Sequence, residues 1–172
     1  MKKHPLFRIL DANFNRSREG LRVCEEVMRF IVEDEALTKN LKRARHSVTD
    51  CLKKMPFRWA DLVACRDVAE DFGKKPSALE KPRTDAASLF LANIERVKES
   101  LRVLEESFKL LDVATAMRFK KIRFEVYAIE KKSMPKLETL CDNGPFTLPG
   151  VNTAANRKKS DSRRRVRRSA AR

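Results

Sequence analysis

Two short stretches of the chain carry the same three polar side chains at the same spacing. Asn13, Arg16 and Glu19 of the first stretch correspond to Asn93, Arg96 and Glu99 of the second, an offset of 80 residues. The surrounding segments, 12–26 and 92–106, are identical at nine of fifteen positions. Arginine holds two phosphate oxygens in one planar fork, so a repeated Arg/Asn pattern favours an anion-binding site.

Helical geometry places these side chains beside the apolar stripe of each segment. At 100° per residue, Asn13 and Arg16 lie near Val27 and Ile31, next to the small residue Gly20. In the second segment, Asn93 and Arg96 lie in the same way beside Ser100. An arginine buried on such a face needs a partner, because an unpaired buried charge costs several kcal/mol.

Two interpretations of that partner remain open. In the first, Glu19 and Glu99 pair with the arginines three residues earlier, and the asparagines bond across the bundle axis. In the second, the arginines join Arg45 and Arg123, which correspond when LKRARHSV (41–48) is aligned with FKKIRFEV (119–126). Four guanidinium groups brought together in this way would form a site for phosphate groups.

A second group of polar residues lies between the two repeats, in the segment ACRDVAEDFG (64–73). It places Arg66, Asp67 and Asp71 just before Gly73. Two aspartates four residues apart could hold Mg²⁺ while phosphate oxygens complete the octahedron. The alternative is a helix cap or surface turn with solvated charges.

The apolar periodicity predicts an all-α fold, a four-helix bundle built from two pseudo-repeated helical hairpins. The first hairpin comprises helices over about 6–32 and 35–54, the second ending before Pro56. The second hairpin comprises helices over 85–111, with Thr84 as N-cap, and 113–133. Residues 55–83 form the connector, which we expect Trp59 to pack onto the bundle.

Composition excludes several other classes of protein. The chain has 172 residues, a formal net charge of +15 and only four glycines, which argues against a β-sandwich or a glycine-rich nucleotide fold. The four cysteines form no C-x-x-C pair, and no segment resembles a signal peptide, so we expect a reduced, cytoplasmic protein. Charged residues interrupt every apolar run, and no membrane span is predicted.

The domain boundary is predicted near residue 140. Residues 1–140 form the helical domain, and residues 141–172 are predicted to be a disordered basic tail. Segment 157–172 has nine Lys or Arg and one Asp. Such a tail can bind nucleic acid or anionic lipid by counterion release. The alternative is a solvated terminus, since no aromatic residue lies among the arginines to stack on bases.

Three separated blocks of the sequence match the motifs of a known protein family. They are RILDANFNRSREGLRVCEE, ACRDVAEDFG, and ANIERVKESLRVLEE followed by FKKIRFEVYAIEK. Together, over residues 7–131, they resemble the all-helical N-terminal domain found ahead of the barrel in some bacterial thiamine-phosphate synthases. That domain is assigned as an alternative hydroxymethylpyrimidine-phosphate kinase. The positions that match the family's motifs are Arg8, Asp11, Asn13, Arg16, Glu19, Arg22, Glu25, Arg45, Arg66, Asp67, Asp71, Gly73, Asn93, Arg96, Glu99, Arg102, Arg123 and Tyr127.

The resemblance implies an enzyme that transfers a phosphoryl group from ATP to a small phosphorylated pyrimidine. The implied catalytic residues are Arg16, Arg96, Asp67 and Asp71, the last two as Mg²⁺ ligands. The implied substrate-binding residues are Asn13, Asn93, Arg45, Arg123, Glu19 and Glu99, and Arg66 and Gly73 would bind the ATP phosphates. Mg²⁺ and ATP are therefore the expected cofactors.

Two other functions stay open at this point. The first is a non-catalytic domain that binds a phosphorylated ligand or docks a separate thiamine-phosphate synthase. The second is nucleic-acid binding through the tail. Because the barrel is replaced here by a short basic segment, we expect the synthase reaction itself to be absent.

Overall fold

The computed structural model describes residues 5–55, 57–66, 71 and 83–140, and this part of the chain contains five helices and no strand. The helices are α1 (Pro5–Phe30), α2 (Glu35–Lys53), α3 (Trp59–Val63), α4 (Ala86–Phe108) and α5 (Val113–Glu138). The predicted all-α four-helix bundle is confirmed. The short helix α3 in the connector was not predicted. The predicted tail, 141–172, lies outside the described residues.

Aspartate side chains begin three of the long helices. Asp34 accepts a hydrogen bond from the backbone N–H of Leu37, and Asp112 accepts one from Thr115. At the start of α4 the cap is Asp85, not the expected Thr84, because the Asp85 carboxylate accepts the N–H of Ser88 at 2.6 Å.

Helix α5 continues past the predicted end at residue 133. Pro135 removes one backbone donor, yet the helix extends to Glu138 and carries Leu137 into the core, where it is 1% exposed. Burial of an apolar side chain beyond the proline offsets the loss of that hydrogen bond. The hydroxyl of Ser133 donates to the carbonyl of Ile129 within the same turn.

Helices α1 and α4 lie antiparallel and very close together. Along α1, Phe14 meets Phe108, Gly20 meets Val97, and the Cys24 thiol reaches the carbonyl of Phe90, so the two chains run in opposite directions. A Cβ on Gly20 would lie 2.7 Å from Val97 Cγ2 and 3.0 Å from the carbonyl oxygen of Asn93. Only a glycine allows this approach without displacement of α4.

The remaining helices complete a four-sided bundle. Helix α2 packs on α1, α5 packs on α4, and α2 and α5 contact each other on the far side. Phe14, Phe108 and Phe119, all fully buried, join α1, α4 and α5 in one aromatic cluster with centroid distances of 5.2 to 6.1 Å.

The connector is anchored by Leu62 rather than by Trp59. Leu62 of α3 is 0% exposed and belongs to the core, whereas Trp59 is 40% exposed. The expectation for Trp59 is corrected, because α3 turns its leucine face and not its indole toward α1. None of the helices in the described part of the chain is long and apolar enough to cross a membrane.

Candidate functional site

A cleft of about 490 Å³ opens along the crossing of α1 and α4. The two helices contribute equivalent residues to it, related by the 80-residue offset. The lining residues are Asn13, Arg16, Glu19 and Gly20 from α1, and Asn93, Arg96, Glu99, Ser100 and Val103 from α4. The repeat in the sequence therefore forms a single site with pseudo-twofold symmetry.

The two asparagines are held in the same way in both halves. Asn13 Nδ2 donates to the carbonyl of Ile9 at 2.8 Å, and Asn93 Nδ2 donates to that of Leu89 at 2.8 Å. Both residues are more than nine-tenths buried, and neither amide oxygen has a hydrogen-bond partner in the described chain. The anchored amides thus offer fixed acceptors to the cleft.

The arginines and glutamates of the cleft are exposed. Among the described residues, the side chains of Arg16, Arg96, Glu19 and Glu99 form no hydrogen bond and no ion pair. The internal pairing of each arginine with the glutamate three residues later is therefore not observed. The expectation of buried arginines is also corrected, because their position at the edge of the apolar stripe lets the guanidinium groups reach solvent.

The antiparallel crossing brings the two halves of the lining together. Gly20 lies against both Val97 and the backbone of Asn93. The cleft therefore presents two arginines and two glutamates from two facing helices.

Arg45 and Arg123 do not line the cleft. Arg45 Nε donates to the buried carboxylate of Glu25 at 2.9 Å and thereby joins α2 to α1. Arg123 donates through Nε and Nη2 to Glu105, at 3.1 and 2.8 Å, and joins α5 to α4. The expected convergence of four arginines is corrected, because the pairs with buried glutamates hold two of them inside the hairpins.

The two buried pairs are equivalent and each has a third member. Glu25 and Glu105, which are 3% and 2% exposed, also accept hydrogen bonds from Arg22 and Arg102. Burial opposes the charge on Arg123, yet its hydrogen bonds to Glu105 and to the Tyr127 hydroxyl raise the pKa of the guanidinium. These clusters position the helices that form the cleft.

Within the described part of the connector, Arg66 forms an ion pair with Asp11 of α1. Arg66 donates to both oxygens of the buried Asp11 carboxylate, at 2.5 and 2.8 Å. Hydrogen bonds to Asp11, with a smaller contribution from the charge of Glu19, raise the pKa of Arg66. Its predicted contact with ATP phosphates stays a prediction.

The rest of the predicted metal and nucleotide site falls largely outside the described chain. Asp67 and Gly73 are not among the described residues, and Asp71 is exposed. Within the described residues, no group of three or more His, Cys, Asp or Glu side chains is arranged to hold a metal ion.

Sequence reasoning missed the partners of three charged residues. Glu25, Glu105 and Asp11 were recognised as motif positions, but their bonds to Arg45, Arg123 and Arg66 were not predicted. For the glutamates a signal existed, since Arg-x-x-Glu-Glu occurs in both repeats at 22–26 and 102–106.

Comparison with known proteins identifies a matching family over most of the helical domain. Residues 8–132 match the ThiD2 family. The chain is 45% identical over 124 residues to a thiamine-phosphate synthase of Synechocystis sp., covering 72% of this chain and 34% of that protein. A thiamine-phosphate synthase of Rhodopirellula baltica is 40% identical over 126 residues, covering 72% and 32%.

A third relative shows the same pattern. The thiamine-phosphate synthase of Nostoc punctiforme is 38% identical over 130 residues, covering 75% of this chain and 35% of that protein. The chain thus spans about a third of the length of these curated relatives. No solved structure matches it.

Proposed function

The chain belongs to the ThiD2 family, and we propose that it acts in thiamine biosynthesis by phosphorylating hydroxymethylpyrimidine phosphate with Mg-ATP in the α1–α4 cleft. The observation that carries this proposal is the paired lining of the cleft. Two exposed guanidinium groups, neither engaged by another described residue, face one cavity together with two anchored amides.

The proposed reaction joins two phosphate groups. An oxygen of the pyrimidine's phosphate attacks the γ-phosphorus of ATP, the bond from that phosphorus to the β–γ bridging oxygen breaks, and ADP leaves. Such transfer depends mainly on positioning and charge neutralisation, to which Mg²⁺ contributes when bound. Arg16 and Arg96 hold the acceptor phosphate and the transferred group, and Asn13 and Asn93 orient the pyrimidine.

The residues of the cleft fit a metal-bound phosphate. Glu19 and Glu99 supply two carboxylates without an ion pair in the described chain, and Mg²⁺ in phosphate sites is commonly held by one or two carboxylates together with phosphate oxygens. A contribution of Asp67 and Asp71, as predicted from the sequence, remains part of the proposal.

A second candidate is a non-catalytic module that delivers the pyrimidine phosphate to a separate thiamine-phosphate synthase. One observation favours it: the described residues bring no third carboxylate to the cleft. Binding without turnover separates this candidate from the kinase.

The test is phosphorus NMR of the full chain with Mg-ATP and hydroxymethylpyrimidine phosphate. We expect the resonances of a pyrimidine diphosphate and of ADP to appear with the wild type. The Arg16→Ala/Arg96→Ala variant should lose this activity by about 100-fold or more, because both phosphate-holding groups are gone. Its fold is checked by circular dichroism.

A matched control removes two cations elsewhere. Arg43→Ala/Lys132→Ala takes the same charge from exposed positions on α2 and α5 and should keep full activity. Binding of the pyrimidine phosphate without turnover by the wild type would refute the kinase proposal and support the delivery module. Absence of both binding and turnover would refute both candidates.

A further inference from the structure

The amide groups of Asn13 and Asn93 are fixed in orientation by the helices that carry them. Each amide nitrogen donates to the backbone carbonyl four residues earlier, that of Ile9 or Leu89, at 2.8 Å. Only the nitrogen of an amide can donate, so the oxygen has to lie on the other side of the group. Each asparagine therefore presents a fixed acceptor, and not a donor, to its surroundings.

These two amide oxygens are reached from the cleft. Asn13 and Asn93 are only 7% and 8% exposed, and both line the cleft. Neither oxygen has a hydrogen-bond partner among the described residues, yet neither is among the unpartnered atoms that are fully enclosed. A ligand that enters the cleft displaces water from these oxygens. It must then supply a donor, or it leaves a desolvated acceptor unpaired.

A phosphate group does not supply that donor. Its oxygens are strong acceptors, and an acceptor placed against the oxygen of an amide gains no hydrogen bond. An amino group on a ring carries two N–H donors and fits the same position. The asparagines therefore suit the nitrogen-bearing part of a ligand, and the arginines suit its phosphate.

The spacing of these residues suits a small ligand that carries both groups. Arg16 follows Asn13 by three residues, and Arg96 follows Asn93 by three, so each helix contributes one half-site of an asparagine and an arginine. Residues at this spacing are neighbours on a helix surface, with Cβ atoms about 5 to 6 Å apart. One molecule can thus reach the amide oxygen with its ring and the guanidinium group with its phosphate.

We propose that Asn13 and Asn93 select the ligand of the cleft by an exocyclic amino group on its ring. In the half-site that takes the ring, the anchored amide oxygen accepts one N–H of that amino group. The arginine three residues later holds the phosphate. The cleft therefore discriminates against a ring that has no N–H donor at this position. The inference rests on the proposed function for the identity of the ligand, but it concerns binding and requires no turnover.

The test compares two ligands by isothermal titration calorimetry of the full chain without nucleotide. One is hydroxymethylpyrimidine phosphate, whose ring carries an amino group. The other is its analogue with a methyl group in place of that amino group, which is similar in size and cannot donate. We expect the analogue to bind more weakly by about tenfold or more, because it leaves a desolvated amide oxygen unpaired.

The decisive variant is Asn13→Leu/Asn93→Leu, because leucine is close to asparagine in size and has no acceptor. The two backbone carbonyls that lose an amide nitrogen keep their own helical hydrogen bonds, so the fold should be retained. We expect the preference for the amino ligand to fall to about twofold or less. The control Asn15→Leu/Asn40→Leu removes two amides that do not line the cleft, and should keep the wild-type preference.

The ratio of the two affinities decides the result. If the asparagines served the fold alone, the decisive variant would weaken both ligands by the same factor and keep the wild-type ratio, which would overturn the inference. Equal binding of the two ligands by the wild type would also overturn it, and turnover in the phosphorus NMR assay would then leave the proposed function intact. Binding of neither ligand would overturn both.

Discussion

The two hairpins of the bundle agree at their buried ion pairs and along the cleft, and they differ on the outer surfaces of α2 and α5. Glu25–Arg45 in the first hairpin and Glu105–Arg123 in the second join the helices at corresponding positions. On the outer surface the correspondence is lost. When 41–48 is aligned on 119–126, the exposed α5 residues Met117, Phe124 and Ala128 correspond in sequence to the polar α2 residues Lys39, His46 and Asp50.

This difference shows which features the pseudo-symmetry preserves. Equivalent residues are kept at the buried ion pairs and along the cleft, and they vary on the surfaces of α2 and α5. The connector adds a further asymmetry, because Asp11 pairs with Arg66 whereas the corresponding position in α4 is the buried Leu91. The symmetry is therefore a property of the core and the cleft.

Substitutions at the buried ion pairs should cause the largest loss of stability and so test the equivalence of the two hairpins most strongly. Arg123→Met leaves the Glu105 carboxylate buried with only the exposed Arg102, and should lower the free energy of unfolding by about 3 kcal/mol. Arg45→Met should cost about 2 kcal/mol, because Arg45 gives one hydrogen bond to Glu25 and is more exposed. Urea denaturation measures both.

A double variant separates the cost of losing the arginine's contacts from the cost of leaving a buried carboxylate without its partner. Adding Glu105→Gln to Arg123→Met should recover about 1 kcal/mol or more, because the residual cost is that of an unpaired buried carboxylate. An Arg45→Met variant less stable than Arg123→Met would contradict the ranking.

A smaller effect is expected at the crossing of α1 and α4. Gly20→Ala places a methyl group 2.7 Å from Val97 Cγ2 and should destabilise the chain by about 1 to 2 kcal/mol, even though alanine favours a helix. Ser100→Ala, at the equivalent position, loses only the hydroxyl bond to the Arg96 carbonyl and should cost less than about 1 kcal/mol. Thermal unfolding measures the loss of stability in each variant. Equal losses would contradict the expected difference between positions 20 and 100.

The smallest effect is a pH dependence at the helix caps of the second hairpin. Bonds from Ser88 lower the pKa of Asp85, and bonds from Thr115 lower that of Asp112. Since both pKa values are lower in the folded state, these caps stabilise the fold above the unfolded value of about 4 and lose that contribution as the pH falls further.

Urea denaturation from pH 6 to pH 3 checks this expectation. Over this pH range, the wild type should lose more stability than the Asp85→Asn/Asp112→Asn variant, because the caps of the variant do not titrate. An identical pH profile in the two proteins would show that other carboxylates account for the loss.

Much of this architecture was predictable, because the repeat and the periodicity specify four helices and the face on which Asn13 and Asn93 lie. Periodicity does not specify which neighbouring helix a face meets. For that reason Arg45 and Arg123 were expected beside Arg16 and Arg96, whereas their partners are glutamates of the adjacent helix.

The same limit applies to the connector. Its five-residue helix is too short to give a periodic signal, and the bond from Arg66 to Asp11 spans 55 residues. Nothing in the local sequence links those two positions. The exposure of Arg16 was missed for another reason, because its position at the edge of the stripe leaves a long side chain free to reach water.

The most direct test of the account is a crystal structure of the full chain grown with Mg²⁺ and hydroxymethylpyrimidine phosphate. We expect the ligand between α1 and α4, with its phosphate on Arg16 or Arg96 and its ring beside Asn13 or Asn93. A ligand bound outside this cleft, with both arginines uninvolved, would contradict the central claim.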